Sequence, residues 1–305
     1  MNRHPKSAMP LPACAAAACL AAACLAWPAT SALAEELPPQ DSDRLPAAEV
    51  AAARPKLPLW EAGLFGFDYT QPAYPGAEDR TSRALVLPYL VYRGKYLVAE
   101  RGSIGVRALK TTRVEADVGF AASLGSASSD IPARQGMPNL GTLIEFGPRL
   151  KVNLSVSASD RSRSYLQLPL RLVIDVSHDF QSRGIAFEPQ WVRDTLLPGY
   201  WFISTSLGAK FGDHRLNDTF YGVDPSEALP DRPAYAARAG LISLRAGLFA
   251  AHPLSRDVRV FCTLRFESLT GSANRDSPLV RRNSGWSAGI GLSWALSRSK
   301  LSAID

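Results

Sequence analysis

The chain has 305 residues, a formal net charge of +6 and a mean hydropathy of −0.05. The positive charge is mild and spread along the chain, without the basic runs that mark nucleic-acid binding. No apolar run long enough for a membrane-spanning helix follows the N-terminal segment, which excludes a helical membrane bundle but not a barrel, whose strands hide hydrophobicity in alternation.

Arg3 and Lys6 form a basic start, an Ala-, Leu- and Cys-rich run follows from Leu11 to Trp27, and Ser31-Ala32-Leu33-Ala34 completes an A-x-A site. This is the layout of a secretory signal peptide over 1–34, with cleavage expected after Ala34. Leu20-Ala21-Ala22-Ala23-Cys24 loosely resembles a lipobox, but the A-x-A site fits better. Removing Arg3 and Lys6 lowers the charge to +4. Residues 35–58, rich in Pro, Ala and charge, read as a disordered periplasmic tail. Three of the four cysteines lie in the signal, so Cys262 has no partner for an internal disulfide and reads as a small hydrophobe on a strand face. His178, His214 and His252 are scattered among segments, so no metal site or cofactor is implied.

From Trp60 to Leu296 the chain repeats alternating segments broken by Gly, Pro, Asn, Asp and Ser. Strands are expected near 61–69, 83–93, 95–101, 103–109, 112–123, 142–153, 164–177, 184–193, 199–210, 235–250, 257–268 and 284–296. In 112–123, Val114, Ala116, Val118 and Phe120 oppose Arg113, Glu115 and Asp117. In 142–153, Ile144, Phe146, Leu150 and Val152 oppose Glu145, Arg149 and Lys151. In 164–177 a row from Leu166 to Val176 opposes Gln167, Arg171, Val173 and Asp175. In 257–268, Val258, Val260, Cys262, Leu264 and Phe266 oppose Arg259, Thr263, Arg265 and Glu267. The last segment places Trp286, Ile290, Leu292, Trp294 and Leu296 on one face and Gly, Ser and Ala on the other. Trp at both ends of an apolar face matches the aromatic girdles of a membrane strand.

These features predict an all-β chain: over 59–305, a transmembrane antiparallel up-and-down β-barrel of about twelve strands. Alternate connections are long (70–82, 124–141, 211–234, 269–283) or short, as outer loops and periplasmic turns are. The turn at 101–103 is short for an outer loop and 154–163 is long for an inner one, while Arg238 falls on an apolar face. Pro88 sits inside an expected strand and predicts a bulge or distortion there. Leu172→Arg is expected to cost about 2–4 kcal/mol in the bilayer, and an arginine at inward Val173 less.

Leu87-Pro88-Tyr89-Leu90-Val91-Tyr92-Arg93-Gly94, preceded by Tyr74-Pro75-Gly76, is followed by Gly136-Met137-Pro138-Asn139-Leu140-Gly141, then Glu145-Phe146-Gly147-Pro148, Tyr221-Gly222-Val223 and Asp276-Ser277-Pro278-Leu279-Val280. In this order and spacing the motifs resemble the MipA/OmpV family, over about residues 60–296. The resemblance implies an outer-membrane β-barrel in contact with outer-membrane lipid. The best-known member of the family is a scaffold that bridges a lytic transglycosylase, MltA, and a bifunctional penicillin-binding protein in murein synthesis. Other members are described as adhesion- or stress-related porin-like proteins. The chain departs from such barrels in running past Trp294 and Leu296 into a non-aromatic C-terminal tail.

Catalytic readings are weak. Gly285-Trp286-Ser287-Ala288-Gly289 matches G-x-S-x-G but lies inside a regular alternation with no His after it. Ser177-His178-Asp179 ends a strand, where adjacent side chains point apart. The expectation is therefore a non-enzymatic scaffold. In the alternative, a small-solute channel, Arg113, Glu115, Asp117, Gln167, Arg171, Asp175, Arg259 and Arg265 line the lumen and set selectivity.

Overall fold

The computed structural model describes residues 58–93, 97–100, 103–106, 109–111, 113–157 and 161–301, all within one compact unit, Pro55–Asp305. The expected signal peptide and most of the expected tail lie outside the described residues.

One antiparallel sheet carries fourteen strand segments. They are β1 (Trp60–Pro72), β2 (Arg80–Arg93), β3 (Leu97–Glu100), β4 (Ser103–Val106), β5 (Leu109–Lys110), β6 (Val114–Ser123), β7 (Leu143–Ser157), β8 (Ser162–Asp175), β9 (Gln181–Phe187), β10 (Gln190–Leu197), β11 (Trp201–Gly212), β12 (Gly240–Pro253), β13 (Val258–Ser268) and β14 (Ser284–Arg298). Sequence neighbours pair along most of the sheet, and β1 pairs β14, joining the first and last strands.

The segment count exceeds the expected twelve because two stretches are divided. The strand expected at 184–193 is β9 and β10, separated by Glu188 and Pro189, and both pair β8 and β11. Pro189 has no N–H to give to a ladder, yet its carbonyl still accepts from Ala209 N, so the two segments follow one line. The strand expected at 103–109 is likewise β4 and β5. The connection expected at 154–163 shrinks to 158–161, because β7 and β8 pair through Ser157↔Ser162. Ser155, Ser157 and Ser162 read as loop in the sequence but belong to the ladder, with Ser155 Oγ 2.7 Å from Ser164 Oγ. Arg238 lies ahead of β12 rather than on it, and its backbone N–H donates to Asn274 Oδ1.

The two faces of the sheet separate as alternation requires. On β14, Trp286, Ile290, Leu292, Trp294 and Leu296 are exposed, while Ser287 is buried. Leu64, Phe120, Leu150, Leu170, Leu172, Leu207, Leu248 and Leu264 continue this exposed apolar face around other strands. The small residues of β14 have a packing reason. Gly291 is paired with Phe67 on one side and Phe261 on the other, and a Cβ there would collide with Phe261 and the Gly66 carbonyl. The inward rings stack in that space: Phe65 on Phe261 at 5.0 Å, Phe249 on Phe261 at 6.1 Å and Phe67 on Tyr69 at 5.3 Å.

Pro88 causes no bulge. The β1–β2 register runs unbroken through Leu64↔Pro88. β2 pairs β3 only at Tyr92 and Arg93, so Pro88 sits on a stretch that is a sheet edge among the described residues. An edge tolerates a residue without an N–H.

The largest buried apolar cluster lies at one end of the sheet, built mostly from connections: Tyr74, Ile131, Met137, Leu140, Leu216, Tyr221, Val223 and Leu279, with Val173 and Ile242 from strand ends. This corrects the expectation for Val173, which is fully buried in the cluster. An arginine there would overpack it and bury a charge.

Gly291→Val should therefore lower stability by about 1–3 kcal/mol through overpacking. Gly66→Val should be near neutral, since a Cβ at Gly66 meets nothing within 4 Å. The temperature at which the purified protein loses its compact electrophoretic form reads both changes.

Candidate functional site

Beneath the apolar cluster, six buried charges alternate in sign along adjacent strands. Lys210 Nζ lies 2.5 Å from Glu145 Oε1, and Arg171 Nη1 lies 2.9 Å from Glu145 Oε2 and 3.0 Å from Glu188 Oε2. Arg245 then bridges Glu188 Oε1 at 2.6 Å and Glu267 Oε1 at 2.9 Å. The chain uses β11, β7, β8, the β9–β10 junction, β12 and β13. Three cations face three carboxylates, so no net charge is carried inside, which is what makes burial of six ions tolerable.

The other inward charges pair nearer their own strands. Asp117 stands opposite Arg149 across β6–β7 and accepts from its Nε at 2.7 Å and Nη2 at 2.6 Å, with Lys151 Nζ 3.1 Å away. Asp175 accepts from Arg183 Nε and Nη2 and from the Ser177 N–H, and it lies 2.9 Å from His178 Nδ1. Glu61 accepts from Tyr89 Oη at 2.9 Å and Arg298 Nε at 3.3 Å.

Of the residues expected to line an interior, only Arg171 belongs to the six-charge chain. Asp117 and Asp175 are buried or nearly so in their own pairs. Glu115 and Gln167 are half-buried, both in register with Lys151. Arg265 lies beside Glu188 and Arg245 around a small cavity. Arg259 is half-exposed, 3.9 Å from Glu61, and Arg113 is exposed just ahead of β6. Glu188, Lys210 and Arg245 were missed in the sequence, the first because it interrupts a strand beside a proline. Glu145 and Glu267 were legible as charges on an opposing face.

The apolar cluster caps this network, and the motif stretches at 74–76, 136–141, 221–223 and 276–280 meet there. Tyr74 Oη donates to the Leu279 carbonyl at 2.7 Å, and the Arg281 and Arg282 N–H groups donate to the Gly76 carbonyl. Gly76 has φ +90° and Leu269 against it, so both its conformation and its contact favour glycine. Ser277 Oγ donates to the Tyr221 carbonyl at 2.8 Å, and Arg232 Nη1 donates to the carbonyls of Ala133 and Gln135. A helix absent from the sequence expectations, α1 (His214–Tyr221), lies in this cap. Its signals were present: Asp213 as N-cap, accepting from Leu216 N at 2.9 Å, apolar Leu216 and Phe220 one turn apart, and Gly222 after the end. The Met137–Gly141 stretch forms one wall of a polar cleft of about 650 Å³, with α1 and the facing ends of β8 and β9 on the others.

Burial pushes the Tyr74 hydroxyl up to about 12, against a smaller opposing effect of Arg134. Burial also raises Tyr221. Neither catalytic reading finds a site. Ser177 Oγ accepts from Thr142 N, 3.0 Å away, and Ser287 is buried within regular β14 pairing, with no sharp turn.

The family described as MltA-interacting protein MipA matches residues 65–296. No curated protein matches the chain. Similar solved structures include the NanC porin, at 8% identity and TM-score 0.38, covering 76% of this chain and 100% of that one. A bacterial polysaccharide outer membrane secretin matches at 8% identity and TM-score 0.38, covering 78% and 99%. The outer membrane phospholipase A of Escherichia coli matches at 10% identity and TM-score 0.31, covering 76% and 92%.

Arg245→Leu strips Glu188 and Glu267 of a shared partner and should cost about 3–5 kcal/mol. Adding Glu267→Leu should recover part of that loss in urea unfolding. In the cap, Tyr74→Phe should cost about 1 kcal/mol at neutral pH by removing a hydrogen bond. Because folding favours the protonated hydroxyl, Tyr74 supports the fold below pH 10 and loses that support from there to about pH 12. The Phe variant should therefore unfold with a shallower alkaline dependence in that window.

Proposed function

This chain belongs to the MltA-interacting protein MipA family, and we propose that it is a non-enzymatic outer-membrane β-barrel that holds peptidoglycan enzymes at the membrane. The family match over 65–296 is the observation that carries the reading.

The sheet geometry supports a closed barrel. The pairing path has β4 at one end and β5 at the other. These are consecutive parts of the stretch 103–110, and β4 lies beside β6. With β9 and β10 also sharing one position, twelve strand positions close on themselves and leave the apolar face outward. Closure is what a sheet in lipid requires. Trp286 at the capped end and Trp294 near the other end of β14 suit the two interfaces of a bilayer. A signal peptide on 1–34 directs export. The cap then lies outside, and the turns at 198–200 and 254–257, with the 35–58 tail, face the periplasm.

A solute channel is the less supported alternative. The six-charge chain that runs through the interior is internally paired and buried under a packed cap. The partners proposed from the family are a lytic transglycosylase and a bifunctional penicillin-binding protein. Mild crosslinking of the full chain in its native envelope should capture a murein enzyme, and deleting 35–58 should weaken capture while the barrel still assembles. Recovery of the assembled protein with no such enzyme would contradict the scaffold.

A further inference from the structure

The polar cleft beside α1 has no part in the scaffold reading. Its volume, about 650 Å³, is in the range of small-ligand pockets. Most of its charged side chains already have partners. Arg183 donates from Nε and Nη2 to Asp175, and Asp224 and Glu227 close a capping box. Among the arginines and carboxylates that line it, Arg134, Arg215 and Asp218 stand outside these pairs. Arg215 and Asp218 form no ion pair or side-chain hydrogen bond among the described residues.

Arg134 is 4% exposed, yet its Nε and Nη1 have no hydrogen-bond partner. Its one hydrogen bond among the described residues, from Nη2 to the Pro138 carbonyl, is long at 3.4 Å. Glu227 acts on it through charge without forming an ion pair. Buried Arg232 differs: it donates to the carbonyls of Glu227, Ala133 and Gln135. A buried guanidinium short of acceptors is costly, and an anionic oxygen is the group that completes it. The charges of α1 point the same way. Arg215 lies in its first turn and Asp218 in its last, the reverse of what the helix dipole favours. Helix stability gives no reason for that order.

We infer that the cleft binds a short zwitterionic peptide, its carboxylate on Arg134 in place of the Pro138 carbonyl and its ammonium on Asp218. Asn139, Gln181 and Thr219 offer amide and hydroxyl groups to the peptide backbone. Other ligand classes suit the lining less. It has no aromatic ring for a sugar to stack on, and it is too polar for an acyl chain. Asp218, Asp224 and Glu227 oppose a polyanion. No cluster of metal ligands occurs among the described residues. The inference depends neither on the scaffold reading nor on the side of a membrane that the cap faces.

The test is equilibrium dialysis of full-length protein in detergent against radiolabelled trialanine, with assembly checked by the heat-dependent shift in migration. Trialanine should bind saturably. Its C-terminal amide and its N-acetyl form should each compete about tenfold more weakly, the worth of one charged hydrogen bond. Asp218→Asn should weaken trialanine by about that factor and leave the N-acetyl form unchanged. Asp218 is exposed on α1, so this variant leaves the cap intact. Arg134→Gln, inside the cap, should abolish the preference for the acid over the amide in protein that still migrates in compact form. No saturable binding of trialanine by assembled protein would overturn the peptide site, as would equal affinities for the three probes. Displacement of trialanine by equimolar phosphate would make the cleft a simple anion site and also overturn it. None of these results touches the barrel reading, which the migration shift reports separately.

Discussion

A β-ladder sends successive side chains to opposite faces, and both faces of this sheet must satisfy that constraint at once. One face is apolar and exposed, from Leu64 to Trp294. The other then carries most of the charges the strands contain, packed close to one another. The alternating chain from Lys210 to Glu267 is the outcome: each carboxylate meets a cation from a different strand. Because the partners come from β7, β8, β11, β12 and β13, the network fixes registers between strands and not only within hairpins.

The cap depends on the same constraint. Inward charges at the end of a sheet would meet water through the mouth, but here the long connections fold over it. Tyr74, Tyr221 and Leu279 are buried together, and backbone carbonyls at Gly76, Ala133 and Tyr221 accept from neighbouring connections. Three of the motif stretches, around Tyr74, Tyr221 and Leu279, are parts of this cap. Their order in the chain reflects which connection supplies each part.

The strand pattern was legible because hydrophobic alternation is local, and the expected face of Leu170 and Leu172 is the exposed one. What escaped the sequence was non-local. Glu188 and Lys210 are unremarkable charges until three strands bring them to Glu145 and Arg171. Val173 reads as an ordinary inward residue, but connections far away in sequence bury it completely. Pro88 reads as a distortion because a central strand would need its N–H, whereas among the described residues the sheet has an edge there. The Ser-rich end of β7 reads as loop because polar side chains mark loops in soluble folds, yet here such residues continue the ladder. The helix α1 had its cap and its period in the sequence and was passed over inside a long connection.

Ion conductance separates a capped, internally paired barrel from an open pore most directly. Full-length protein reconstituted in a planar bilayer should give no stable conductance, because the six-charge chain is bound together beneath the cap. Stable, ion-selective steps that change when Arg171 or Glu145 is replaced would contradict the account and make the interior a channel.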